Sequence, residues 1–312
     1  MLSYVLRRIL QFIPTVIGIM LLVFFLFNWV GGDPAYLLAG KISNPEQIEN
    51  IRRQLGVDQP YYVQWGIFVR QVFTGDMGVS WATGEKVSYL VWSRLGPSLT
   101  ILVPMLVLST GIALGLGLLV AYFRGLATDR WIMVACTVGQ SISILVYIIV
   151  LQYVFSYELA WFPVQGWAQE GGLLLIPFCI LPVMVGVVVS LAPDTRLYRA
   201  FFMDEIQRDY VRTARAKGLT EWRVMGVHVM RNVFIPVLTH VMIQLPGLLA
   251  GSFLIERFFS IPGIGREVLL AVERSDFPVI KAVTLYVAVA TILVNLLTDI
   301  LYRWIDPRVQ LK

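Results

Sequence analysis

Few side chains in this sequence are of the types that do chemistry. It has two histidines, His228 and His240, and two cysteines, Cys136 and Cys179. A metal site normally needs three or four ligands at suitable spacing, so the sequence predicts no metal centre, and the two cysteines do not make a disulfide framework. His240 lies within an apolar stretch. We interpret it as a hydrogen-bonding residue that faces other helices rather than as a ligand.

Catalysis and nucleotide binding find no support either. The sequence contains no Gly-x-x-x-x-Gly-Lys-Ser/Thr phosphate loop, so the chain is not expected to be an ATP motor of that type. Asp299 is the one acid within a predicted membrane span, which makes it a functional candidate. Arg303 follows one turn later, and structural pairing of the two is the favoured interpretation. We therefore predict no catalytic residue, no metal and no cofactor in this chain.

Polar residues within apolar stretches form a second group of candidates. Gln140, Gln244 and Asn295 are uncharged and hydrogen-bonding. Such residues line a transport pathway or join helices to one another, and the sequence does not distinguish the two roles. The glycine pair Gly111 and Gly115 indicates a close helix contact, although this motif is weak in isolation.

The elements that must position these residues are membrane helices. The chain is 57% hydrophobic and 14% charged, with a mean hydropathy of +0.73, whereas soluble domains carry about 25% charged residues. A single soluble domain and a disordered chain are therefore excluded. Apolar stretches of the length needed to cross a bilayer, uncharged except for Asp299 in the last, predict an all-α polytopic membrane protein with six transmembrane helices. After a first span within 1–32, the spans are expected at about 98–122, 131–155, 173–192, 233–255 and 282–302.

The basic residues predict the orientation. With the N-terminus in the cytoplasm, most of the 25 basic side chains fall on the cytoplasmic side, as the positive-inside rule requires. Both termini are thus expected in the cytoplasm. The net charge of +5 is interpreted as topology information, and no nucleic-acid partner is predicted.

The predicted organisation has four parts. They are the N-terminal end with the first span (1–32), an external cap segment of short helices (33–94), the membrane core (95–303) and a cytoplasmic tail (304–312). In the cap segment, Asn44, Pro45 and Gly56 indicate the start and end of a helix, and Tyr61–Phe73 is amphipathic. We expect the cap segment to lie on the membrane domain, either as a passive connector or as a docking surface.

The cytoplasmic loop 194–231 is the most informative stretch. A helix is predicted over 204–217, with acidic residues first and basic residues last, and Gly218 is expected to end it in the left-handed conformation. Thr220 is placed to begin a second helix. The loop is then either a solvated positive-inside connection or a rigid projection that another cytoplasmic protein grips.

Several motifs in this sequence resemble those of a known family. Residues 210–218 read YVRTARAKG and residues 228–236 read HVMRNVFIP. They resemble the coupling loop in permease subunits of bacterial ABC importers, with the dipeptide and oligopeptide branch most similar. The family pattern Glu-Ala-Ala-x-x-x-Gly falls here on Arg212, Thr213, Ala214 and Gly218, so the family's glutamate has no counterpart. Further similar segments are 31–35, 55–60, 75–80, 258–265 and 306–308, and the resemblance covers nearly the whole chain.

The resemblance implies a type I ABC importer permease fold in the bacterial inner membrane. It implies a second homologous permease subunit, two ATP-binding subunits that hold ATP and Mg, an extracytoplasmic binding protein, and a peptide substrate. Pro262 and Gly263 would face the binding protein. Contact with the ATPase would involve Asp209, Tyr210, Arg212, Thr213, Ala214, Arg215, Lys217 and Gly218.

Other functions remain as alternatives. An ion-coupled secondary transporter predicts several buried carboxylates or matched helix breaks in two inverted halves. A membrane-embedded enzyme predicts a nucleophile with a base, or two acids, at bilayer depth. The sequence displays neither pattern. Within the importer interpretation, nickel complexes, glutathione and other peptide-like solutes are alternative cargoes.

Overall fold

A computed structural model of the chain is a bundle of helices joined by short connections, and it describes residues 2–30, 35–36, 44–168 and 172–305. No β-strand occurs among these residues. The helices are α1 (Leu2–Phe25), α2 (Pro45–Leu55), α3 (Tyr61–Thr74), α4 (Val87–Tyr122), α5 (Ala127–Ser141), α6 (Ile144–Gln152), α7 (Ile176–Ile206), α8 (Asp209–Ala216), α9 (Met230–Ala250), α10 (Phe253–Phe258), α11 (Ile264–Glu273) and α12 (Phe277–Ile305). Short π-helical segments continue α1 over Leu26–Val30 and α6 over Tyr153–Glu158. A third, Val224–Val229, leads into α9.

Five helical stretches are long and apolar enough to cross a bilayer. They are Leu10–Asn28, Val87–Tyr122, Ile176–Ile206, Glu221–Phe258 and Phe277–Thr298. A sixth results if α5 and Ile144–Glu158, which meet at 95°, are counted together. The apolar stretches of the sequence thus lie on helices, as predicted.

The stretch predicted as one span over 131–155 is bent rather than continuous. Ile142 and Ser143 between α5 and α6 have extended backbone, with ψ of 131° and 143°. The Ser143 hydroxyl then accepts a hydrogen bond from the Leu145 amide at 3.3 Å, which caps the new helix.

Two expectations about the loop 194–231 are wrong. First, α7 continues through residue 194 to Ile206, because Tyr198 and Phe202 extend its buried face beyond Pro193. Second, the helix predicted over 204–217 is interrupted. Arg208 has extended backbone, with ψ of 150°, and α8 begins afresh at Asp209.

Glycines permit a close contact between α4 and α7. A Cβ on Gly117 would lie 3.1 Å from the Tyr198 Cβ, and one on Gly186 would overlap the Met105 thioether. The predicted pair Gly111 and Gly115 has open space instead, so the close approach involves other glycines.

The cap segment lies on the membrane helices, as predicted. Phe68 of α3 packs with Met20 and Val23 of α1 and Leu285 of α12. The Asp276 carboxylate accepts hydrogen bonds from the Ser80 hydroxyl and from the amides of residues 81 and 82, which fastens the cap segment to the start of α12. We refer to this side of the bundle as the cap end.

Some sequence predictions fall outside the described part of the chain. They concern residues 31–34 of the first motif, the closing motif at 306–308, and the side chains of Asp299 and Arg303.

Candidate functional site

The short helix α8 lies at the end of the bundle opposite the cap end and has two unlike faces. Val211 and Ala214 are 0% and 7% exposed. They pack into a cluster with Phe202 and Ile206 of α7 and with Val229 before α9. An i, i+3 spacing places both on one side of the helix. Burial of these two side chains therefore seats α8 on two membrane helices.

The opposite face of α8, with the residue that follows the helix, is exposed to solvent. Asp209, Arg212, Thr213 and Lys217 are exposed, and Arg212 lies 3.7 Å from the Asp209 carboxylate. An acid in the first turn, Asp209, and a base in the last, Arg215, complement the helix dipole. The result is a polar, mainly basic surface on a firmly seated helix.

Gly218 ends this helix as predicted. Its φ of +77° lies in the left-handed region, and its amide donates to the Arg215 carbonyl at 2.9 Å. A Cβ built at this position would meet nothing within 4 Å. The requirement for glycine is therefore conformational rather than steric.

An ion pair spans the Gly218 turn. The Arg215 guanidinium donates two hydrogen bonds to the Glu221 carboxylate, with the Nε to Oε2 distance at 3.0 Å. This hydrogen bonding raises the pKa of Arg215. On the other side of α8, the Tyr210 hydroxyl donates to Glu205 at 2.7 Å, and burial, followed by that hydrogen bond, raises the pKa of Tyr210 to about 12. Both side chains thus tie α8 to its neighbours instead of pointing away from the bundle.

The three pathway candidates are not brought together. Gln140 of α5 accepts a hydrogen bond from Arg196 at 2.8 Å, and Gln244 of α9 lies 2.6 Å from His240. Asn295 is exposed on α12. No hydrogen bond within the described ranges joins any two of the three.

A buried polar cluster in the membrane core was missed by the sequence reasoning. His240 Nε2 lies 3.1 Å from Asp194 Oδ1, and the Tyr198 ring meets the His240 ring edge-on. Asp194 is 5% exposed within α7. The interpretation of His240 as a hydrogen-bonding residue holds. The expected loop boundary at residue 194 hides its partner Asp194, although the helical spacing of Tyr198, Phe202 and Ile206 indicates a longer helix.

The predicted receptor-facing residues lie between α10 and α11. Pro262 is half-buried, whereas Gly263 is buried, and a Cβ there would lie 2.5 Å from Ser98 Oγ. The Glu256 carboxylate accepts hydrogen bonds from the Ser98 hydroxyl at 2.8 Å and, at 3.0 Å, from the amides of Ser252 before α10 and Arg266 in the first turn of α11. Gly263 therefore fixes the shape of this connection. Glu256 and Ser98 were not singled out from the sequence.

A metal site is not indicated by the described residues. No group of three histidine, cysteine, aspartate or glutamate side chains among them is placed to hold a metal ion.

Helices long and apolar enough to cross a membrane, packed in a bundle that carries a short polar helix at one end, define an integral membrane protein. Comparison with known families identifies it further. Residues 113–311 match the family described as binding-protein-dependent transport system inner membrane component, and residues 1–100 match the N-terminal domain of such components. The chain belongs to this family.

The relatives agree with that assignment. The glutathione transport system permease protein GsiC of Escherichia coli (strain K12) is 36% identical over 312 residues, which is 100% of both chains. The proteins of the same name from Shigella flexneri serotype 5b (strain 8401) and Salmonella paratyphi A (strain ATCC 9150 / SARB42) have the same identity over the same length.

The chain is thus a permease subunit of an ABC importer of the peptide/nickel branch, in the inner membrane. Membership implies an ATPase partner and a substrate-binding protein. Membership of this family favours the importer interpretation over the alternative of an ion-coupled secondary transporter.

Proposed function

We propose that this chain is one of two homologous permease subunits with the type I importer fold, and that it carries small peptides or peptide-like solutes such as glutathione. In this proposal six helices span the membrane, with α5 and α6 forming one bent span. Both termini and α8 lie in the cytoplasm, and the cap end faces outward. The chain is not catalytic, because ATP and Mg are bound by two ATP-binding subunits.

The observation that carries the proposal is the seating of α8. One face is buried through Val211 and Ala214, and the other presents Arg212, Thr213 and Lys217 to solvent. A partner that grips the exposed face is thereby in mechanical contact with α7 and α9. Closure of the ATPase pair would displace α8 and shift the membrane helices between inward-open and outward-open states, which is alternating access.

Peptide cargo is proposed from the relationship to the glutathione permeases named above, which cover the entire chain at 36% identity. Gln244 and Asn295 remain candidates for the pathway. Gln140 is a weaker candidate, because Arg196 already occupies its amide oxygen. On the outer side, the half-buried Pro262 remains a candidate for receptor contact.

Site-directed crosslinking in the assembled importer tests the proposal. In a background carrying Cys136→Ala and Cys179→Ala, we expect Arg212→Cys to crosslink to an ATP-binding subunit. Val211→Cys is the matched control, because Val211 is the neighbour of Arg212 on the same helix and is 0% exposed. Asn50→Cys on α2 should not reach the ATPase. A crosslink from Asn50→Cys with none from Arg212→Cys would reverse the proposed orientation.

A further inference from the structure

A cavity of about 830 Å³ lies at the cap end, between the end of α1, helices α2 and α3, and the start of α12. Its volume falls within the range of about 300–1,000 Å³ that is usual for small-molecule sites. It is separate from α8 and from the polar cluster around Asp194. Neither the family assignment nor the coupling mechanism gives this cavity a role.

Lys281 supplies a positive charge to the cavity wall. Its half-buried ammonium donates to Asn28 Oδ1 at 3.2 Å and lies 5.7 Å from the centre of the Phe27 ring. Within the described part of the chain, no aspartate or glutamate forms an ion pair with Lys281. A partly buried cation without a counter-ion is costly, and an incoming anion relieves that cost.

The surrounding hydrogen bonds hold this ammonium in place. Asn28 donates through Nδ2 to Gln64 Oε1 at 2.8 Å, and Gln64 donates to the carbonyls of Val57 and Gln59 at 3.0 and 2.7 Å. The Asn28 amide oxygen is thereby oriented towards Lys281. The chain of amides connects α1, α3 and α12, so the charge is positioned by three separate elements.

Acidic and aromatic side chains complete the lining. Glu49 and Asp58 lie on the α2 side of the cavity. Glu49 is within 3.6 Å of Arg52, whereas Asp58 is exposed and forms no ion pair with a described residue. Phe277 contacts the rings of Phe27 and Trp81, with centroids 5.6 and 5.7 Å apart, and provides an apolar wall. Arg52 also lines the cavity and offsets the charge of Glu49, so the lining offers the further charges of Lys281 and Asp58 together with an apolar surface.

We propose that this cavity binds small peptides with a free C-terminus, whose carboxylate pairs with Lys281 and whose ammonium group faces Asp58. The inference rests on the proposed peptide cargo and names a site for it on the permease. A zwitterion fits both Lys281 and Asp58, whereas an anionic lipid headgroup would place a second negative charge near Asp58.

The test uses the assembled importer in proteoliposomes with trialanine and trialanine amide as probes. We expect Lys281→Gln to raise the half-saturating concentration for trialanine uptake by about tenfold and to leave trialanine amide unchanged. Lys281→Arg should retain the preference for trialanine. The matched control is Lys86→Gln, which removes an exposed lysine at the same end of the bundle. An equal loss for both probes would make Lys281 a structural residue and overturn the site.

A binding readout separates this site from the proposed cargo. Acetylation of Lys281 in the assembled importer, followed by mass spectrometry, should be slowed by trialanine and not by trialanine amide. Uptake of trialanine without this protection would disprove the site and leave the cargo standing. Protection without uptake would support the site and disprove the cargo. Protection by phosphatidylglycerol vesicles in place of trialanine would assign the cavity to lipid and reject the peptide site.

Discussion

Arg215 and Glu221 face each other across the Gly218 turn and are joined by two hydrogen bonds. The first residue belongs to α8 and the second begins the helical path to α9. The pair therefore links the helix proposed to receive the ATPase to a membrane-crossing helix.

Breaking this ion pair should weaken coupling more than stability. Exposed ion pairs contribute about 0.2–1 kcal/mol, and the Arg215 and Glu221 side chains are 33% and 43% exposed. We expect Glu221→Gln to leave the thermal unfolding of the assembled importer nearly unchanged. The number of substrate molecules imported per ATP hydrolysed should fall about two- to fivefold. Glu273→Gln breaks the comparably exposed Arg257 pair and should not affect that ratio. Equal ratios in the two variants would contradict the role of the pair.

The Gly218 turn should tolerate only residues that accept a positive φ. A left-handed backbone costs most residues about 1–2 kcal/mol, more for a β-branched side chain, and less for asparagine. We expect Gly218→Val to insert normally and to lose most substrate-stimulated ATP hydrolysis, with Gly218→Asn close to wild type. Gly84→Val introduces the same strain at the cap end, at φ of +71° in open space. If Gly84→Val lost as much coupling as Gly218→Val, general strain would explain both.

The Asp194–His240 contact should behave as a coupled pair. Leaving a buried polar group without its partner costs about 1–3 kcal/mol. Thermal unfolding of the assembled importer should therefore detect a clear loss of stability for His240→Leu. Adding Asp194→Leu should recover part of it, because the orphaned carboxylate is removed. Additive losses, within about 0.5 kcal/mol, would mean that the two side chains do not interact.

Gly263 should not accept even one added methyl group. A Cβ there would lie 2.5 Å from Ser98 Oγ and would also overlap the Glu256 carboxylate. Overpacking of this kind costs about 1–3 kcal/mol. We expect Gly263→Ala to lower the unfolding temperature of the importer. Gly247→Ala, in open space on α9, should leave it unchanged or raise it slightly. An unchanged unfolding temperature in Gly263→Ala would show that the connection has room to move.

Elements governed by local rules were predictable from sequence. The apolar stretches became helices because a bilayer permits few other backbone structures. In the cap segment, Pro45 begins α2 and Gly56 ends it at φ of +66°, as predicted. The Asn44 side chain makes no capping hydrogen bond, although its position was correct. The turn glycine that follows α8 was likewise evident in the motif, whereas Ala214, expected among the residues that contact the ATPase, is only 7% exposed.

Features that depend on distant residues were not predictable. Asp194 and His240 are 46 positions apart, and Ser98 and Glu256 are 158 apart. No local pattern links such partners, since only the packing of α7 against α9 and of α4 against α10 brings them together. The break at Arg208 has the same cause. The pattern of acidic residues followed by basic residues over 204–217 favours one helix, whereas Ile206 at the end of α7 packs with Val211 in a cluster of distant residues.

Val211 and Ala214 lie in one packed cluster with the end of α7 and the approach to α9. A displacement of α8 would therefore act on α7 and α9 together rather than on one of them alone. Since α7 also packs closely against α4 at Gly117, a displacement of α7 would act on α4 as well. Under the proposed coupling, a displacement of α8 would therefore move α7, α9 and α4 together.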